Sequence, residues 1–333
     1  LTSVAVIGTT RWGTTLAMLL GRTGAPVRLW ARTESEACAI NSARENPVLS
    51  GHRLPDSVTA TASVAECVGG ASVVIFAVPS QTVRANAQVV RPHLTTGQTI
   101  VSATKGLEEG PACRMSQVLA EELGCDNQSI AVLSGPNLSG EIVHGLPAAT
   151  VIAAEDITVA EGVRQAFGDG LFRVEVSDDV VGVEMGGALK NIVAIGAGLS
   201  DGLGCGENGK AVLMVRGLAD MVRLAGAVGG RRETLLGLAG LGDLLATCSS
   251  TQSRNHHVGE QLARGRSLSQ AMAGRRGVCE GVPAARGAWK LSREVGVEVP
   301  VFESIYRVLY EALPAQEAAA SLFGTYLELA SSR

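Results

Sequence analysis

Val4-Ala5-Val6-Ile7-Gly8-Thr9-Thr10-Arg11-Trp12-Gly13 decides how this chain of 333 residues is read. Its first four residues form a short apolar run of the kind that makes a buried strand, and a helical pattern follows from Gly13 to Arg22. Gly8 permits the tight turn between them, and Gly13 permits close packing of the helix on the strand. A helix that opens here presents backbone N–H groups and its positive dipole end to an anion, the arrangement that holds a dinucleotide pyrophosphate. An ordinary strand-to-helix turn has the same outline. The middle glycine of the G-x-G-x-x-G fingerprint is Thr10 in this chain, and its side chain either pushes a pyrophosphate away or bonds to it.

Outward from this stretch the first half alternates apolar runs with helical patterns. Val27–Trp30, Val73–Val78 (stopped by Pro79), Thr99–Ala103, Ile130–Leu133, Ala149–Ala153 and Phe172–Val176 read as further strands. Strands separated by helices imply a mostly parallel sheet of βαβ units, a Rossmann-like α/β domain over residues 1–176. After Val176 the spacing is helical, and residues 177–333 read as an all-α domain, with Ser177-Asp178-Asp179 as its first helix cap. Ligands of open α/β sheets gather beyond the carboxyl ends of strands, where Val78-Pro79-Ser80, Thr104-Lys105-Gly106 and Ser134-Gly135-Pro136-Asn137 lie. Arg32, just past the second strand, would pair with a ribose 2′-phosphate and favours NADP over NAD, although Glu34 and Glu36 blunt that inference.

The chain has four lysines, and arginine supplies the rest of its 28 basic residues. Lysine can shed its proton near neutrality once its surroundings lower its pKa; arginine cannot. Lys105, Lys190 and Lys210 sit in glycine-rich or polar segments, whereas Lys290 reads as a surface residue. Lys190 lies in an apolar helix from Val180 to Leu203 that also holds Gly182, Gly186, Gly187, Gly196 and Gly198. Each interior glycine costs roughly 1 kcal/mol against alanine, so close approach of another helix or a ligand has to offset them. Burial lowers a lysine pKa toward the range that acid/base catalysis needs. Asp243, in Gly240-Leu241-Gly242-Asp243-Leu244, is a carboxylate among apolar neighbours; it needs a partner or caps a helix, and Lys190 is the obvious partner. The hydroxyl-rich run from Thr247 through Thr251 and Gln252 to Ser253-Arg254-Asn255 suits a phosphate, while Ser253 alone is also a good helix cap.

Composition narrows the function. The chain is 46% hydrophobic with 41 glycines, and no apolar run looks long enough to span a bilayer. Net charge is −4 with 3% aromatics and no basic block, which argues against nucleic-acid binding. Seven scattered cysteines without a C-x-x-C pair, and no leader-like start, indicate reduced thiols in a cytoplasm. His256-His257 lacks a third ligand at useful spacing, so no metal site is expected.

Gly182-Val183-Glu184-Met185-Gly186-Gly187-Ala188-Leu189-Lys190-Asn191, Asp201-Gly202-Leu203-Gly204, Arg216-Gly217-Leu218, Ser134-Gly135-Pro136-Asn137, Gly240–Leu244, Ser253-Arg254-Asn255 and Glu280-Gly281-Val282-Pro283 occur in one order along the chain. Together they resemble the bacterial NAD(P)-dependent glycerol-3-phosphate dehydrogenases over nearly the whole length. The resemblance implies hydride transfer between sn-glycerol 3-phosphate and dihydroxyacetone phosphate, with Lys190 as proton acceptor working with Asp243. It implies substrate contacts at Lys105, Gly135, Asn137, Thr247, Ser253, Arg254 and Asn255. It implies cofactor contacts at Gly8, Arg11, Trp12, Gly13, Arg32, Lys105, Ser139, Arg254, Val278 and Glu280. Thr10 also belongs to the cofactor loop and departs from the glycine common in the family. A homodimer and a supply of glycerol 3-phosphate for phospholipid follow from the same likeness. Two other readings stand beside it: a two-domain reductase of hydroxy acids, and a non-catalytic nucleotide-binding redox sensor.

Overall fold

The computed structural model describes residues 2–125, 129–168, 170–250, 253–273 and 277–323. One sheet contains β1 (Val4–Ile7), β2 (Val27–Trp30), β3 (Val58–Thr61), β4 (Val73–Phe76), β5 (Thr99–Ser102), β6 (Ile130–Ser134), β7 (Ala148–Ala154) and β8 (Phe172–Ser177). The strand order is β3-β2-β1-β4-β5-β6-β7-β8. The first six strands pair in parallel; β7 runs antiparallel to β6, and β8 is parallel to β7. The Rossmann-like, mostly parallel sheet is therefore present, with two differences in detail. β3 was not legible, because Val58-Thr59-Ala60-Thr61 is a short edge strand with half its residues polar. β7 reverses direction because the link from β6 carries only a five-residue helix, α6, in place of a full crossover.

Helices α1 (Arg11–Arg22), α2 (Glu34–Ala43), α3 (Val64–Val68), α4 (Val83–Val90), α5 (Met115–Leu123), α6 (Ser139–Val143) and α7 (Ile157–Phe167) accompany the sheet. Val6, Leu16, Leu29, Ile75, Val101 and Leu133 belong to the core that holds these layers together. Strand order reverses on either side of β1, between β2 and β4, so the crevice beyond their carboxyl ends is the place where this fold collects ligands.

The rest of the described chain is helical: α8 (Val180–Gly202), α9 (Gly206–Ala227), α10 (Arg232–Leu236), α11 (Asp243–Ser249), α12 (Arg254–Ala263), α13 (Leu268–Met272), α14 (Gly281–Glu294), α15 (Pro300–Tyr310) and α16 (Ala315–Phe323). By packing, one compact unit holds residues up to 104 together with 114–183, and the other holds 105–113 together with the chain from 184 onward. The short strap 105–113 thus belongs to the helical unit. Leu107 packs on Gly287, Glu109 pairs with Arg286, and Lys290 donates to the Gly110 carbonyl.

Asp179 starts α8 by accepting from the Gly182 N–H at 2.8 Å. Contrary to the reading from composition, α8 is long and apolar enough to cross a membrane; the glycines hid this. Its burial explains the hydrophobicity instead, since 89% of its apolar window is enclosed by the protein. The glycines themselves serve helix contact. A Cβ at Gly198 would lie 1.8 Å from the His256 carbonyl oxygen on α12, and one at Gly259 would lie 2.0 Å from that of Ile195. A Cβ at Gly186 would come within 2.5 Å of the Ala239 carbonyl oxygen. Backbone-to-backbone approach offsets the propensity cost of these residues.

Asp220 shows what a buried acid does when it serves the fold. It accepts from the N–H groups of Val301 and Phe302 at 2.8 and 3.2 Å, capping α15, and pairs with Arg223. Burial pushes its carboxyl up to about 6 against the pull of those donors.

Candidate active site

At the sheet unit the turn after β1 is built as its sequence implies. Gly8 has φ +112°, and a Cβ on it would lie 2.7 Å from Val78 Cγ1, beyond β4. A Cβ on Gly13 would lie 2.2 Å from the Gly8 carbonyl oxygen, so the helix does press on the turn. Thr10 is the N-cap of α1: its hydroxyl accepts from the Gly13 N–H at 3.0 Å and donates to the Ala77 carbonyl at 2.7 Å. Its only proton is therefore committed, and the reading in which it donates to a pyrophosphate gives way to a capping role. Capping leaves the first-turn N–H groups of Arg11 and Trp12 without partners inside the helix. The indole Nε1 of Trp12 is buried with no hydrogen-bond partner among the described residues. A dinucleotide fits this donor set.

The remaining predicted contacts of the sheet unit lie at strand ends. Arg32 is exposed just past β2, and its backbone N–H donates to Glu36. Gly135 is buried after β6, where a Cβ would lie 2.9 Å from Thr150 Cα. Asn137 Nδ2 donates to Thr150 Oγ1 at 3.0 Å, while its Oδ1 is buried with no partner among the described residues. Ser139 opens α6. Sequence reading missed Asn46, which braces the loop through Thr9 O and Thr14 Oγ1 at 3.2 and 2.8 Å.

In the helical unit, chemistry concentrates around Asp243. A wide π-type turn over Leu238–Gly242 leads into α11 and sets Asp243 at its start, only 2% exposed. Its Oδ1 accepts from Lys190 Nζ at 2.5 Å and its Oδ2 accepts from Lys105 Nζ at 2.7 Å. Thr247, one helical turn on, accepts from Lys190 at 2.6 Å. The carboxylate expected to pair with Lys190 thus pairs with two amines. Lys190 is buried at 7% exposure. The Lys105 amine is brought down to about 8, by burial first and by the neighbouring Lys190 charge, against the opposing pull of Asp243.

A chain of amides fixes this cluster. Asn191 donates to the Gly187 carbonyl and to the Lys105 carbonyl, and its Oδ1 accepts from Asn255 Nδ2 at 2.9 Å. Asn255 Oδ1 in turn accepts from the Gly281 N–H and from Cys279 Sγ. Asn255 is therefore tied into the framework, with the second hydrogen of its amide left over. Ser253 caps α12 by accepting from the His256 N–H at 3.3 Å. Arg254 is the exposed first residue of α12, with its guanidinium against Gly277. A capped helix start with an arginine on its first turn suits an anion. Thr251 and Gln252 lie outside the described residues. Val278 is exposed, and Glu280 stands at the N-cap of α14.

The other two lysines have structural partners. Lys210 pairs with Asp201 and Glu207, both at 3.2 Å, and Asp201 also meets His256 Nε2 at 2.7 Å. Lys290 pairs with Glu294 at 3.6 Å besides holding the strap.

Family models for the NAD-dependent glycerol-3-phosphate dehydrogenase N-terminus and C-terminus match residues 3–160 and 179–320. A glycerol-3-phosphate dehydrogenase [NAD(P)+] of Dehalococcoides mccartyi is 46% identical over 326 residues, covering 97% of this chain and 90% of the relative. One of Mycobacterium tuberculosis is 45% identical over 323 residues, covering 97% and 96%. The crystal structure of the glycerol-3-phosphate dehydrogenase of Coxiella burnetii superposes with a TM-score of 0.92 at 34% identity, covering 97% of this chain and 99% of that one.

Proposed function

The chain belongs to the NAD-dependent glycerol-3-phosphate dehydrogenase family, and on that premise we propose that it interconverts dihydroxyacetone phosphate and sn-glycerol 3-phosphate with NAD(H) or NADP(H). The observation that carries the reading is the pair of amines on one enclosed carboxylate, Lys105–Asp243–Lys190. A bound nicotinamide supplies the hydride to C2 of the ketone or takes it from C2 of the alcohol. The protein has to move the accompanying proton and hold the phosphate.

Lys190 is the proton carrier in this reading. Of its three N–H donors, one meets Asp243 and one meets Thr247; the third has no partner among the described residues and is available to the C2 oxygen. Asp243 and Thr247 fix its direction, which is what a general acid needs. In reduction Lys190 gives its proton to the developing alkoxide; in oxidation it receives the hydroxyl proton. Lys105 adds a second positive charge near the same oxygen, which favours an anionic substrate and a developing oxyanion. Arg254 and the start of α12 take the phosphate, with Ser253 and Asn255 beside it. Gly135 and Asn137 are further substrate contacts. Gly8, Thr10, Arg11, Trp12, Gly13, Arg32, Ser139, Val278 and Glu280 line the dinucleotide.

In this reading residues 1–176 form the dinucleotide-binding domain and 177–333 the helical substrate and catalytic domain, with Lys105, Gly135 and Asn137 of the first reaching the substrate and Val278 and Glu280 of the second reaching the cofactor. The protein works as a cytoplasmic homodimer and supplies glycerol 3-phosphate for phospholipid. Oxidation of NADH and NADPH by the pure protein is the test. Turnover with dihydroxyacetone phosphate and none with dihydroxyacetone is expected. Equal turnover of the phosphate-free ketone would point to a hydroxy-acid type of reductase, and cofactor binding without turnover to a sensor.

A further inference from the structure

Three charged side chains crowd the end of β2, Arg32, Glu34 and Glu36, and the structure singles out one of them. Glu34 is exposed on the first turn of α2, where its Oε1 meets Cys38 Sγ at 4.0 Å. Glu36 is held at both oxygens. Its Oε1 accepts from the Thr9 hydroxyl at 2.6 Å, and its Oε2 accepts from the Arg32 N–H at 3.1 Å. Thr9 is the residue directly after Gly8 and is itself buried. One carboxylate therefore bridges the turn after β1 and the turn after β2.

In this fold the ribose 2′ position of a dinucleotide is read at the end of β2. An ionised carboxylate only accepts, and it has about four lone-pair sites, so two remain for a ribose hydroxyl. The same carboxylate occupies the Arg32 N–H, a donor that an anion would otherwise use. A 2′-phosphate brings about −1.5 to −2 charges to that place and meets a like charge held by two hydrogen bonds. Arg32 alone favours NADP; Glu36 opposes it from a fixed position.

Resting on the function proposed above, we infer that Glu36 is the residue that sets selectivity between NADH and NADPH, holding down use of the phosphorylated cofactor, with Thr9 as its positioning residue. The experiment compares the parent chain with Glu36→Gln and Thr9→Val. Binding of NADH and NADPH is measured by fluorescence titration, and kcat/KM for each is measured with dihydroxyacetone phosphate. Glu36→Gln should raise the NADPH:NADH ratio about tenfold in both binding and kcat/KM, with the KM for dihydroxyacetone phosphate unchanged. Thr9→Val, which keeps the charge but frees it, should shift the ratio the same way by less. An unmoved ratio in Glu36→Gln, or an equal loss for both cofactors, overturns the inference. A parent chain without turnover refutes the proposed reaction but leaves the binding ratio to decide on Glu36. A parent chain that binds neither dinucleotide overturns both.

Discussion

The turn after β1 and the cluster around Asp243 both suit negative groups, and they are made in opposite ways. The turn works through backbone: Gly8 and Gly13 let main chain approach main chain, and α1 supplies N–H groups. A side chain in its middle is absorbed, because Thr10 bonds to Ala77 and Gly13 and becomes a cap. The cluster works through side chains, with two amines, a carboxylate and a hydroxyl within hydrogen-bond reach in a nearly closed setting. There each charge depends on its partner. The backbone site accommodates a side chain at position 10, though not at Gly8 or Gly13, whereas a buried charge cluster does not tolerate the loss of one partner.

The sharpest way to break this contrast is Lys190→Ala. Turnover should fall about a thousandfold while both dinucleotides still bind, as single-turnover and titration experiments would show. Near-normal turnover would remove Lys190 from the chemistry. Asp243→Asn should nearly abolish turnover as well, and it leaves two enclosed ammonium groups without a counter-charge. Denaturant melts should register a loss of about 3 kcal/mol or more; an unchanged midpoint would mean that the pair is solvated. Gly198→Ala tests packing in the same unit. Its Cβ has no room beside His256, and a loss of about 3 kcal/mol is expected in thermal melts.

Proton traffic sharpens the comparison further. Because the Lys105 amine is brought down to about 8, the fully charged cluster is lost as pH rises through that value. The reduction rate should fall across this window as Lys105 loses the charge it places near the C2 oxygen. Lys105→Arg, which stays charged, should flatten that limb. A profile unaltered by the substitution would assign the titration elsewhere. The smallest effect is expected at the turn. Thr10→Ala should cost about 1 kcal/mol in stability as a lost cap, and leave cofactor affinity nearly unchanged. A large loss of affinity would make the Thr10 side chain a direct contact after all.

The parts of the site that were legible in the sequence are those carried by local pattern. Lys190 stood out because an apolar helical period with interior glycines surrounds it, and Asp243 because a carboxylate among leucines needs a counter-charge. The second amine on Asp243 was not legible. Lys105 reads as a loop residue at a strand end, and its attachment depends on Leu107 meeting Gly287 and Glu109 meeting Arg286, far along the chain. Glu36 was hidden for another reason: three charged residues within five positions have no order of importance until one is seen to be anchored. Among the strands, β3 escaped because an edge strand of alternating valine, alanine and threonine has no continuous apolar run.

The strap 105–113 has one more effect, on modularity. Because those nine positions sit with the helical unit while the segments on either side sit with the sheet, neither unit is a single stretch of chain. A fragment made by cutting once near residue 177 would leave Lys190 facing a carboxylate that had lost its second cation. Gene fusion or domain exchange in such a protein has to transplant the small loop along with the helices, or the recipient inherits an unbalanced charge.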